Sequence, residues 1–222
     1  FPQEKSQCGP ASLAMMLQWS GVSVTPRELV PEIYTPARQG GLQSALIAST
    51  RRHGRIAYPV RGMNSLFAEI SAERPVLVLL NLSFSWLPKW HYAVVIGYDR
   101  SREIMYLHSG TREQEELSFR VFNNTWARSS FWGLLVLPPS LMPVEPDHGA
   151  WLEAAAGLEL AEQWQAAATA FTRAVEQWPQ SYSAWIGLGN SLFSQGRLRQ
   201  AAKALEQAIR LRPESGVAYN NL

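Results

Sequence analysis

The sequence predicts an α+β domain followed by an all-α repeat domain. Three observations carry this. In the first part of the chain, helical patterns come first and apolar, strand-like runs follow. Pro138, Pro139, Pro143 and Pro146 then crowd one short stretch, too dense in proline for either helix or strand. Beyond it, tryptophan, leucine and alanine recur with a period of 34 residues. The 222 residues divide accordingly into 1–139, the α+β domain; 140–147, a proline-rich linker; and 148–222, the repeats.

Taken in order, Pro10 to Trp19 reads as a helix with Leu13, Met16 and Leu17 inward. Pro26 to Val30 and Gly41 to His53 read as further helices. Val76–Leu82, His91–Tyr98, Ile104–His108 and Phe131–Leu137 are rich in apolar and β-branched residues and read as strands. Asp99 to Arg102 is polar and suits the turn between the second and third of these. An antiparallel sheet behind N-terminal helices is the expected arrangement.

In the second part, Trp151, Leu158, Ala167, Phe171, Ala174 and Pro179 return as Trp185, Leu192, Ala201, Leu205, Ala208 and Pro213. Two helices closed by a proline at this period resemble the tetratricopeptide repeat. The copies run 148–181 and 182–215, and a third starts at 216. Most of these residues are expected to be core. The resemblance implies that the concave face of the array holds a protein partner. A repeat pair does not bury its own face, so further repeats or packing on the first domain are expected. Gly187-Leu188-Gly189 is no dinucleotide loop: Leu192 stands where the third glycine belongs and no strand precedes it.

Composition excludes several classes. Apolar residues are 46% and charged residues 17%, which argues for a folded chain. The net charge is +2 and no basic run exceeds Arg51-Arg52, so no nucleic-acid partner is expected. The longest apolar run, Val76 to Leu80, is too short for a membrane span. Because the chain opens at Phe1 rather than Met, a fragment or processed form is expected, with any targeting segment out of view. One cysteine, Cys8, excludes an internal disulfide and a cysteine-rich metal site. His53 and His148 have no partners at ligand spacing, and no cofactor is expected.

Cys8 precedes Gly9 and Pro10, and proline favours a first helical turn. The thiol is therefore expected at a helix N-terminus, whose partial positive charge stabilises a thiolate. Gly9 removes a side chain beside the sulfur and opens an approach for substrate. The plain alternative is a small buried hydrophobe. A thiol nucleophile also needs a base, and His91 opens the apolar run His91-Tyr92-Ala93-Val94-Val95-Ile96-Gly97-Tyr98.

Gln3, Gln7-Cys8-Gly9-Pro10-Ala11-Ser12 and His91 to Asp99 together resemble the bacterial papain-like cysteine peptidases. The nearest group is the bacteriocin-processing, double-glycine leader peptidases and their stand-alone relatives, and Gly40-Gly41-Leu42-Gln43 shares the likeness. The resemblance spans about residues 1–139. It implies a papain-like α+β fold, Cys8 as nucleophile, His91 as general base and acid, and Gln3 as oxyanion donor beside the Cys8 N–H. The gap from Gln3 to Cys8 is five residues, shorter than the family usually has.

Where the family places an Asp or Asn to orient the histidine, this chain has His108-Ser109-Gly110. Strand register decides between the first two. A two-residue turn pairing Asp99 with Arg102 brings His108 to the face of His91, and a one-residue shift brings Ser109 instead. Alignment with the family pattern favours Ser109. Trp86 and Trp90 flank the loop just before His91 and are expected to wall the substrate groove, or to be ordinary packed surface.

The expected function is a thiol peptidase acting on a peptide or protein substrate, with the repeats holding substrate or partner. An acyltransferase on the same fold and an inactive peptidase-like scaffold are the alternatives. Stand-alone relatives are often exported, so a bacterial periplasmic or envelope location is expected.

Overall fold

The computed structural model describes residues 8–35, 40–109 and 112–221; of Arg112 and Glu113 only the backbone is described. The chain falls into two compact units. One comprises 1–53, 57–136 and 143–145, and the other 54–56, 137–142 and 146–222.

The first unit opens with α1 (Cys8–Trp19), α2 (Pro26–Ile33) and α3 (Gln43–Arg52). Between the last two lie the short strands β1 (Tyr34–Thr35) and β2 (Gly40–Gly41), paired antiparallel. Helix α2 starts on a reciprocal cap: Thr25 Oγ1 accepts from the Glu28 N–H, and the Thr25 N–H donates to the Glu28 carboxylate. Then come β3 (Ile56–Val60), α4 (Met63–Ser71), β4 (Val76–Asn81), β5 (Trp90–Asp99), β6 (Ile104–Ser109), β7 (Arg112–Ser118), α5 (Phe119–Ala127) and β8 (Gly133–Leu137).

Six strands form one sheet in the order β3-β8-β4-β5-β6-β7. Every residue of β4 is buried. A strand covered on both faces has no polar side to present, which is why Val76 to Leu80 shows no alternation. On one face, Leu77, Leu79, Tyr92 and Val94 form a core with Leu13, Met16 and Leu17 of α1. Val76, Val78, Ala93 and Val95 alternate to the other face, where α4 and α5 pack.

Helices-first and the antiparallel sheet agree with the sequence reading. The sequence reading did not include β3, α4, β7 and α5. Strand β7 contains Arg112, Glu113, Glu115 and Glu116, a composition that suits an edge strand because charge there discourages pairing with another chain.

The second unit carries α6 (His148–Leu160), α7 (Trp164–Gln177), α8 (Tyr182–Ser194), α9 (Leu198–Leu211) and α10 (Gly216–Asn221). Helix starts at 148, 182 and 216 reproduce the sequence period. Equivalent closures recur: His148 Nε2 meets Ser181 Oγ at 2.8 Å, and Tyr182 Oη meets Ser215 Oγ at 2.6 Å. Trp151 is fully buried and its indole donates to Ala170 O at 3.0 Å. A Cβ on Gly187 would lie 2.3 Å from the Phe171 ring, and one on Gly189 2.7 Å from Leu205. These glycines serve close helix packing, not a nucleotide.

Candidate functional site

Cys8 is the first residue of α1 and a free thiol, half-buried against the α1–sheet core. Its helix start carries the partial positive charge expected there. Gly9, expected to open the path to the sulfur, is buried instead. A Cβ there would meet Ile33, Leu46 and Tyr92 at 3.5–3.7 Å, ordinary contact distances within the packing of α1.

His91 lies near the start of β5, opposite Leu80 of β4. Its ring is half-buried, and Nε2 lies 2.9 Å from Ser109 Oγ. Burial pulls the imidazole pKa below its ordinary value; the Glu115 carboxylate acts against this, and Lys89 adds to it. The resting ring is therefore neutral at neutral pH. With Nε2 committed to the serine hydroxyl, Nδ1 is the nitrogen left for the thiol. In this structure the ring hydrogen-bonds to Ser109 and not to Cys8.

A β-bulge decides which residue meets His91. Asp99 pairs with Ile104, not Arg102, and the turn between them is closed by Asp99 Oδ1 accepting from the Ser101 and Arg102 N–H groups. That register runs through Gly97↔Tyr106. Carried on unbroken, it would set His108 opposite Val95, on the face of His91. The register instead shifts between Val95 and Gly97, so that Val94 pairs with His108. Ser109 thereby reaches the His91 face. His108 goes to the α1 face, where it lines a cavity of about 550 Å³ with Met15, Trp19, Pro75 and Ile96. The two-residue turn is thus corrected, and His108 is not the partner of His91.

Gln3 lies outside the described residues. Trp86 and Trp90 are 79% and 49% exposed, and Phe84 stacks on Trp86 with centroids 5.7 Å apart. A polar frame displays this loop. Buried Asn81 accepts from the Ser83 and Lys89 N–H groups at 3.1 and 3.0 Å, and Arg128 donates to Asn81 O and Ser83 O at 3.2 and 2.7 Å.

Sequence reasoning missed Tyr92. Alternation along β5 was the available signal: the residue after His91 must face α1. Its ring is buried and its hydroxyl donates to Gly41 O at 3.1 Å. Glu115 was missed because β7 was.

A family model described as "Peptidase_C39 like family" matches residues 1–133, and a tetratricopeptide-repeat model matches residues 152–216. Among solved structures, a candidate C39-like peptidase from Bacillus anthracis is 19% identical, with a TM-score of 0.52 over 62% of this chain and 91% of that one. The peptidase domain of Streptococcus ComA, a bi-functional ABC transporter involved in a quorum-sensing pathway, is 20% identical. Its TM-score is 0.49 over 62% of this chain and 96% of that one. No curated protein matches. Among the described residues no helix is long and apolar enough to cross a membrane. A cysteine-peptidase-type domain thus precedes repeats of a kind that mediates protein–protein interaction, and the chain belongs to the C39-like peptidase family.

Proposed function

We propose that the protein is a thiol peptidase in which Cys8 attacks a peptide carbonyl and His91 moves the proton. The observation that carries the reading is the His91–Ser109 hydrogen bond. An Nε2–H donated to Ser109 Oγ leaves the Nδ1 lone pair as the base. Nδ1 takes the thiol proton as sulfur bonds to the carbonyl carbon. The oxyanion is received by the Gln3 amide and the Cys8 N–H. Collapse breaks the C–N bond, and Nδ1–H protonates the departing amine. Water, deprotonated by the same nitrogen, then hydrolyses the thioester and frees the thiol. This chemistry requires Nδ1 to come within hydrogen-bond reach of the sulfur when substrate is bound.

The exposed Trp86 and Trp90 form an apolar wall for the substrate near His91. The double-glycine likeness suggests Gly-Gly on the acyl side of the cut bond. The repeats hold substrate or a partner protein on their concave face, and the molecule works in a bacterial envelope. A specific observation favours an inactive scaffold as the second reading: the partner of His91 is a neutral hydroxyl, which stabilises an imidazolium less than a carboxylate does.

The test is the rate of Cys8 alkylation by iodoacetamide from pH 4 to 10, in wild type and His91→Ala. The peptidase reading expects alkylation at pH 6 that the substitution slows about tenfold or more. A thiol indifferent to His91 sinks it. Product analysis with a peptidyl-Gly-Gly-aminomethylcoumarin in the presence of an amine acceptor separates hydrolysis from acyl transfer.

A further inference from the structure

Tyr92 stands between two parts of the first unit that are distant in sequence. Its ring lies 3.6 Å from the Cβ position of Gly9, the residue after the thiol, and edge-on to Trp132 with centroids 5.8 Å apart. Its hydroxyl donates to Gly41 O at 3.1 Å, fifty-one residues away in the chain. Gly41 also lies close against α2: a Cβ there would sit 2.6 Å from Ile33 Cγ2. Gly40 and Gly41 are half-exposed and, among the described residues, pair with Thr35 and Tyr34 of β1. A two-residue pairing contributes little order by itself. Burial pushes the Tyr92 hydroxyl pKa up, and a thiolate at Cys8 would push it further, so this donor stays protonated at every pH at which the enzyme would work.

We propose that Tyr92 is a positioning residue for the chemistry at Cys8: its hydroxyl fixes the Gly40–Gly41 strand beside the start of α1 and so sets one wall of the cleft that receives a peptide. The proposal rests on the thiol-peptidase reading for its functional half; the tether itself does not. Cys8, His91 and Tyr92 then divide the work. The thiol attacks, the imidazole carries the proton, and the phenol keeps the backbone wall at the distance a substrate chain needs. A small reagent, which needs no wall, is indifferent to it.

Tyr92→Phe keeps the buried ring and removes only the donor, so the fold persists. Two readouts decide. Hydrogen exchange at the Gly40 and Gly41 amides should quicken by about fivefold, the equivalent of one net hydrogen bond. Inactivation by a peptidyl-Gly-Gly chloromethyl ketone should slow by about the same factor, with the iodoacetamide rate unchanged within about twofold. Unchanged exchange overturns the proposal. So does faster exchange with an unaltered peptidyl rate, and so does an equal loss with both reagents, which would place Tyr92 in the reactivity of the thiol itself. Failure of the peptidase reading appears elsewhere, as an iodoacetamide rate that His91→Ala does not change. The exchange measurement then still decides the tether.

Discussion

His91 and Ser109 meet at 2.9 Å through Nε2 and Oγ, across two strands whose register slips by one residue between them. A hydroxyl therefore occupies the place where the family resemblance leads one to look for a carboxylate. The hydroxyl orients the ring but adds no negative charge, and an anion that does act on it, Glu115, belongs to the next strand, β7.

Ser109→Asp should restore that charge. The expected result is a kcat/KM for a Gly-Gly-aminomethylcoumarin peptide raised about tenfold or more, while Ser109→Ala lowers it by a similar factor, since ring orientation is lost. Progress curves for the three proteins, with active sites titrated by alkylation, check this. Equal rates for all three would remove Ser109 from the mechanism.

The pH dependence follows from burial of His91. Its folded pKa is lowered, so the native ring is neutral and the unfolded ring takes up a proton first as pH falls. Stability contributed by the neutral ring is full above the unfolded value of about 6.5 and is lost as pH drops from there toward the folded pKa. Denaturant midpoints at a series of pH values should fall across that window in wild type and flatten in His91→Gln. On the peptidase reading, the acidic limb of kcat/KM should lie below about 6.5. Glu115→Gln removes a charge that raises the pKa, so the His91 ring resonance should titrate at still lower pH.

The aromatic loop separates display from support. Trp86 is 79% exposed, so Trp86→Ala should leave the melting temperature nearly unchanged and raise KM for an apolar peptide. Asn81 is 1% exposed and holds three loop backbone groups. Asn81→Ala should cost about 1–3 kcal/mol, because those groups lose their partner. Calorimetry of both variants tests the contrast.

In the repeats, Gly187→Ala drives a methyl group to 2.3 Å from the Phe171 ring. The expected loss is about 1–3 kcal/mol, with part recovered by adding Phe171→Leu. Denaturant unfolding followed by far-ultraviolet circular dichroism reports it. A Gly187→Ala variant as stable as wild type would show that α7 and α8 can separate freely.

Much of this molecule was decided locally and could be read directly. Cys8-Gly9-Pro10 placed the thiol at a helix start because proline suits a first turn whatever surrounds it. The 34-residue recurrence specified paired helices because the same side chains must meet the same neighbours in each copy. The strand from His91 was legible from its apolar run. Other features depended on contacts between distant segments. The Glu-rich β7 has no apolar pattern to announce it and exists because β6 offers an unpaired edge. Whether Ser109 or His108 stands beside His91 turned on one extra residue in β5 near Ile96, since side chains alternate with period two and a single slip exchanges the faces. The tie from Tyr92 to Gly41 likewise needed the folded chain. Hydrogen bonds across 51 residues are set by packing of α1 on the sheet and of α2 on α1, and local sequence preferences carry no trace of them.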